Sequence, residues 1–243
     1  MKRTHIRSGR WTEEDLDRII RESSKIKTIG RRIDFLSKQF LGLRYKGSTL
    51  IGDMNTKEIL VIDLEGVDCF TYLDYVEAMR MSVSYSEFTK NLTRVRYRNG
   101  KVAFRYRNHF FTDWIYNNSD MVGDATYKVG GRTTKQIKKM LNRKKDGTFF
   151  IPGIKTIKRE IRFIPSADIN ALVIRKLRTG DYVGIYSDMQ GLDVSHVGII
   201  IKNKGNIYLR HASSLKENKK VVDQDLMKYI SKRPGIVVLR PKG

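Results

Sequence analysis

A single cysteine, Cys69, stands among the 243 residues. One thiol excludes an intrachain disulfide and any zinc site built from several thiolates. No apolar run approaches the ~18 residues that a membrane span requires. The N-terminal stretch MKRTHIRSGRWTEED is basic but lacks the apolar core of a signal peptide. Internal repeats, low-complexity tracts and a clear linker are absent too. Acid is scarce: 26 Asp and Glu against 48 Lys and Arg give a formal net charge of +22 and a pI near 10.1. Between Thr89 and Arg162 the imbalance is 19 basic residues to 5 acidic ones. That third would attract any polyanion. Yet zinc-finger spacing, an RNP signature, a GxxG loop and a heptad array are all missing. A basic nucleic-acid-binding or surface-binding module with an inert cysteine therefore stays as a rival reading, without specific nucleic-acid recognition behind it.

What is present suits one large domain, residues 1–243, with 40% hydrophobic residues to fill a core. Trp11 to Leu41 predicts two helices. Thr12 caps the first ahead of Glu13, Glu14 and Asp15, with Leu16, Ile19 and Ile20 as its apolar stripe; Ile33, Leu36 and Phe40 mark the second, which Gly42 could end. Leu41 to Gly52 reads as an irregular, glycine-punctuated segment carrying Tyr45 and Thr49. Ile59 to Leu64 is a short strand, Gly66 and Asp68 supply a turn, and Cys69, Leu73, Val76, Met79 or Arg80, and Val83 form the buried stripe of a helix. Beyond it, RVRYR and VAFRYR flank Asn99-Gly100 and predict a hairpin over Thr93 to Tyr106. Thr133 to Lys145 reads as a lysine-rich helix held by Ile137, Met140 and Leu141.

The last third is rich in strands. Ile157 to Ile164 is one, Ser166 to Leu177 a short helix, and Gly180-Asp181 leads into YVGIY. Next come DVSHVGIIIK, the turn NKGN and IYLRHASS, then a helix over Asp223 to Lys232 and the strand GIVVLR. Helices first and antiparallel hairpins after them make an α+β fold.

The chemistry gathers on few residues. A thiol at a helix start feels the positive end of the dipole and backbone N–H groups, which favour thiolate and can hold an oxyanion. The plain alternative is that Cys69 is a small buried hydrophobe. Of the histidines His5, His109, His196 and His211, His196 begins a strand and His211 ends the next. If the turn centres on Lys204-Gly205, the two lie almost opposite each other. A nucleophilic cysteine needs an imidazole to take and return its proton, and that imidazole needs a group to fix its tautomer. Cys69, His196 and His211 supply the set; a Cys-His-His zinc site is the version to exclude.

Asp68-Cys69, Gly180-Asp181, His196-Val197-Gly198 and His211-Ala212-Ser213-Ser214, in this order, resemble the NlpC-type, papain-like cell-wall cysteine peptidases. With YKGSTL, VDCFTYLDYVEAM and RNHFFTDW added, the chain from about Leu41 onward is similar to a branch understood as N-acetylmuramoyl-L-alanine amidases. The resemblance implies a papain-like α+β fold with an N-terminal helical region (about 11–41) and a family-specific insertion (about 89–162). It implies Cys69 as nucleophile, His196 as base and then acid, and His211 as the residue orienting His196. Tyr45 would help the oxyanion hole. Arg107, Asn108, His109, Asp113, Trp114 and Ser195 would line the substrate groove, where Trp114 would stack on a sugar face or pack the wall. No metal or organic cofactor is implied. The partners would be peptidoglycan fragments, 1,6-anhydro-muropeptides among them. A γ-D-glutamyl-diamino-acid endopeptidase is the alternative within the superfamily. Members are usually exported, so the expected place is the periplasm or cell envelope with a signal outside this sequence; the alternative is cytoplasmic action on imported wall fragments.

Overall fold

Thr12 starts the first long helix as its neighbours require. Its hydroxyl accepts from Asp15 N at 3.1 Å while Asp15 Oδ2 accepts from Thr12 N at 3.1 Å, a reciprocal cap. The computed structural model describes residues 4–243, which fall into two compact units, and places mixed helices and antiparallel strands along the chain. Unit one holds the chain to Arg107 together with Arg210–Asp223. It opens with β1 (Thr4–Arg7), α1 (Glu13–Ser24) and α2 (Ile29–Lys38), followed by β2 (Leu60–Asp63), α3 (Cys69–Arg80) and α4 (Tyr85–Arg96). β1 runs parallel to β2, Thr4 opposite Leu60 and Arg7 opposite Asp63. Leu16, Ile19 and Ile20 of α1 and Ile33 and Leu36 of α2 are buried as their spacing predicts.

α3 is more central than a single stripe implies. Every residue from Thr71 to Arg80 is buried, whereas Val83, expected on the stripe, is half exposed and lies beyond the helix end. Its polar groups are tolerated because they are paired. Arg80 forks onto Glu77 at 2.7 Å, and Arg96 reaches Asp74 Oδ2 at 2.7 Å and the Val61 carbonyl at 2.6 Å. Phe40 packs edge-on against Tyr72 at 5.5 Å and Tyr75 against Phe88 at 6.3 Å.

Two expectations are corrected in the middle of the chain. The hairpin over Thr93 to Tyr106 is instead the end of α4 and a looped return. Ser84 caps α4, and Phe88, Leu92 and Val95 form one buried helical face, so Val95 belongs to a 3.6-residue period begun upstream. The turn itself is present, since Asn99 and Gly100 both take positive φ (56° and 62°). The second expected strand contains one 3-10 turn, Phe104–Tyr106, and a single bridge joins Tyr97 to Arg107. The lysine-rich helix over Thr133 to Lys145 is a strand.

Unit two comprises Asn108–Leu209 and Gln224–Gly243. After α5 (Phe111–Asn117), β3 (Val122–Asp124) and α6 (Thr126–Gly130) come β4 (Lys135–Leu141) and β5 (Ile157–Pro165). β4 pairs along its whole length with β5, Lys135 opposite Phe163 and Leu141 opposite Ile157. Its exposed lysines are what an edge strand uses to refuse further partners. α7 (Ala171–Lys176), β6 (Tyr182–Tyr186), β7 (Val194–Asn203), β8 (Asn206–Ala212), β9 (Val221–Asp225), α8 (Leu226–Ile230) and β10 (Gly235–Pro241) complete the chain. The sheet of this unit runs β4-β5-β10-β6-β7 and on into the first half of β8, with β3 also on β10. Val129, Val173, Leu177, Ile200, Leu226 and Val238 are among the residues that pack its core. Gly184 makes room for α5: a Cβ there would stand 2.6 Å from the Phe111 ring. The chain passes between units inside β8, after Leu209, and returns inside β9, after Asp223.

Candidate active site

Cys69 is the first residue of α3 and is half-buried. Asp68 fixes the helix start: its Oδ1 accepts from Phe70 N at 2.9 Å and Thr71 N at 2.7 Å, and the Thr71 hydroxyl accepts from Asp68 N at 3.1 Å. Twelve residues of helix thus point their positive end at the thiol. Tyr45 stands within electrostatic reach of it. The segment around Tyr45 runs parallel to Val67, with Val67 N donating to the Arg44 carbonyl at 3.1 Å and Lys46 N to the Val67 carbonyl at 3.0 Å. Gly66 permits that approach, because a Cβ there would meet the Lys46 Cβ at 2.7 Å. Burial, and then the charges of Cys69 and Asp68, hold the Tyr45 hydroxyl above the usual tyrosine pKa. It is therefore a proton donor at neutral pH.

The same strip continues to the end of β8 within unit one. Tyr45 N donates to the Lys219 carbonyl at 2.8 Å, Val221 N to the Leu43 carbonyl at 2.8 Å and Ser213 N to the Lys220 carbonyl at 3.0 Å. His211, two residues before Ser213, is 1% exposed. Cys69, Tyr45 and His211 thus share unit one on neighbouring segments. The hydroxyl oxygens of Thr49 and Ser213 are buried there and lack a hydrogen-bond partner among the described residues, so each could serve a bound polar group.

His196 belongs to unit two, half-buried on β7, its ring 6.1 Å from that of Tyr229. The pairing with β6 slips just before it: Ile185 faces His196, whereas Tyr186 faces Val194. Ser195 is the extra residue of this bulge, exposed, with its hydroxyl 3.4 Å from the Ile185 carbonyl. A bulge re-aims the side chains that flank it. The β7–β8 turn centres on Lys204 and Gly205, both at positive φ (47° and 84°).

RNHFFTDW is largely held by the protein itself. Arg107, in unit one, forks onto Glu58 at 2.5 and 3.0 Å and reaches the Gly52 carbonyl at 3.1 Å. In unit two, Asn108 is buried and accepts from Asn117 at 2.8 Å. Asp113 accepts from His109 N and Phe110 N, both at 3.0 Å, and from Arg159 at 2.5 Å. Burial pushes its carboxyl up to about 6 against the pull of Arg159. Trp114 is 1% exposed and packs edge-on against Tyr182 at 5.4 Å. His109 remains half-buried. The sequence gives no sign of a further anchor. Thr112 donates to the buried Asp193 through its amide at 2.7 Å and its hydroxyl at 2.8 Å, tying α5 to the residue that precedes β7. Among the described residues no three His, Cys, Asp or Glu side chains are placed to hold a metal ion.

A thiol at a capped helix start, in a mixed α+β chain, defines the class in which comparison is informative. A model of the AmiA-like family, described as N-acetylmuramoyl-L-alanine amidase-like, matches residues 35–236. The chain belongs to this family. A solved structure from Legionella pneumophila has the same fold, with a TM-score of 0.81 at 21% identity over 95% of this chain and 94% of its own. The structure of an N-acetylmuramoyl-L-alanine amidase from Bacteroides uniformis is 27% identical, with a TM-score of 0.74 over 88% of this chain and 99% of its own. One from Bacteroides fragilis, whose description suggests a xylanase, is 27% identical, with a TM-score of 0.66 over 84% and 99%. No curated protein sequence matches the chain.

Proposed function

We propose that the protein hydrolyses the amide between the lactyl group of N-acetylmuramic acid and L-alanine in peptidoglycan fragments, using a papain-like arrangement of the NlpC type. The observation that carries this reading is Cys69 at the capped start of α3 with the protonated Tyr45 hydroxyl within its electrostatic reach, in a chain of the amidase-like family. Cys69 Sγ attacks the lactyl carbonyl carbon while His196 accepts the thiol proton. Backbone N–H groups at the helix start and the Tyr45 hydroxyl hold the oxyanion. As the C–N bond breaks, His196 returns the proton to the alanine nitrogen, leaving a thioester on Cys69. His196 then takes a proton from water, whose oxygen displaces the thiolate and releases the lactyl acid. His211 keeps the His196 imidazole in the working tautomer.

Mass spectrometry of defined muropeptides, with and without a 1,6-anhydro end, tests this. Wild type should release a peptide beginning with L-Ala, and neither Cys69→Ala nor His196→Ala should. A product beginning at the diamino acid would move the cut to the endopeptidase bond. Shortening within the saccharide, as the Bacteroides fragilis description would lead one to expect, would replace the amide altogether. Full turnover by Cys69→Ala would end the thiol mechanism.

A further inference from the structure

Arg210 precedes His211 on β8 and is 4% exposed, yet its guanidinium is engaged on all sides within unit one. Nε and Nη2 fork onto the Asp223 carboxylate at 2.7 and 2.8 Å. Nη1 donates to Asp34 Oδ1 at 2.8 Å, to the Asp34 carbonyl at 3.1 Å and to the Ser37 hydroxyl at 3.0 Å. The Ser37 carbonyl in turn accepts from the Tyr72 hydroxyl at 3.3 Å, and Tyr72 lies on α3 three residues after Cys69. One side chain therefore ties β8 to β9 and α2, and through Ser37 to the helix that begins with Cys69.

A buried, charged fork is a costly way to add stability, since an apolar side chain of similar volume commonly does as well. Fixed geometry is what the fork supplies instead: a planar group with five directed donors has one satisfactory orientation. Adjacent residues on a strand project to opposite faces. Pinning Arg210 on one face therefore sets the position and tilt from which His211 projects on the other. We infer that Arg210 is a positioning residue: it holds His211, through β8 within unit one, in the register that the proposed mechanism requires of it. This rests on the proposed thiol mechanism and adds to it a role for the Asp34–Arg210–Asp223 cluster.

The test uses the full chain and reads the pH dependence of Cys69 alkylation by iodoacetamide, muropeptide turnover and thermal unfolding in wild type, Arg210→Lys and His211→Ala. Lysine keeps the charge but loses the fork. The alkylation midpoint should rise by about one pH unit toward the ordinary thiol value in both variants. In Arg210→Lys, kcat should fall about tenfold with KM changed less than about twofold. Should Arg210→Lys not fold, Asp223→Asn loosens the same fork from its acceptor side and is read identically. A lowered melting temperature with wild-type alkylation and kcat would make Arg210 merely structural and overturn the inference. A shifted profile in Arg210→Lys but not in His211→Ala would overturn it too, because Arg210 would then act elsewhere. Turnover that survives Cys69→Ala would instead remove the mechanism on which the inference rests, a separate failure with its own signature.

Discussion

At the scale of single residues, Asp68 and Tyr45 act on Cys69 from opposite directions. Asp68 turns its side chain onto Phe70 N and Thr71 N, so it builds the helix start whose dipole favours thiolate. Asp68→Ala should lower stability by about 1 kcal/mol in urea unfolding. It should also slow alkylation of Cys69, because the first turn would fray. An unchanged alkylation rate would show that the helix start does not tune the thiol. Tyr45 carries the opposite signature. Its hydroxyl stays protonated and is suited to donating, so Tyr45→Phe should leave alkylation intact while lowering kcat about tenfold to a hundredfold, the range for losing one of several oxyanion donors. If KM rises and kcat holds, Tyr45 binds substrate and does not stabilise the transition state. Cys69 and its helix start were legible before folding because their signals are local, a turn at Gly66 and Asp68 followed by helical apolar spacing, whereas the role of Tyr45 came only from the family resemblance.

At the scale of elements, legibility divides by where a segment's partner lies. α1 and α3 carry their own caps in Thr12 and Asp68 and were readable. Thr93 to Tyr97 shows strand-like alternation, yet its Val95 completes a helical stripe started at Phe88, and Arg96 ends on Asp74, 22 residues away. β4 has no buried alternating face to announce it; its identity comes from β5, which follows a long connection. The same holds for RNHFFTDW. Arg107 finds Glu58 49 residues earlier and Asp113 finds Arg159 46 residues later, so their partners lie too far along the chain for local pattern to show. Asp113 also makes this segment respond to pH. A carboxyl raised from 3.8 to about 6 keeps its proton in the native state where the unfolded chain has lost it. The native state then binds more protons between those values, so the stability this group contributes is present at low pH and is lost as pH rises through about 6. Asp113→Asn removes the titration. The urea-unfolding free energy of wild type, measured against this variant, should fall by about 1 to 3 kcal/mol between pH 4 and pH 7. Parallel curves would mean that Arg159 holds Asp113 ionised throughout.

At the scale of the whole chain, the charge of +22 divides into an internal part and an outward part. Arg96, Arg107, Arg159, Arg210 and Arg240 are each paired with a buried or half-buried carboxylate and take no part in attracting a distant partner. Arg98, Lys101 and Arg105 are different. All three are exposed, and they gather within 4.8, 4.9 and 5.6 Å of the Tyr106 ring centre. Like charges this close repel one another, and the ring face offsets only part of that repulsion. The free carboxylates of a stem peptide would relieve it. Outward charge acts on encounter and not on the reacting bond, so its effect belongs in KM and must fade as salt shortens the Debye length from about 14 Å to about 4 Å. Between about 0.05 and about 0.5 M salt, KM on muropeptides with free stem carboxylates should rise several-fold while kcat stays level. Arg98→Glu, Lys101→Glu and Arg105→Glu together should raise KM at low salt and flatten its salt dependence. A muropeptide with an amidated, uncharged stem should show neither effect. Equal salt dependence on the amidated fragment would place the ionic strength effect inside the site, at the chemistry, and leave the basic exterior without a part in capturing the wall.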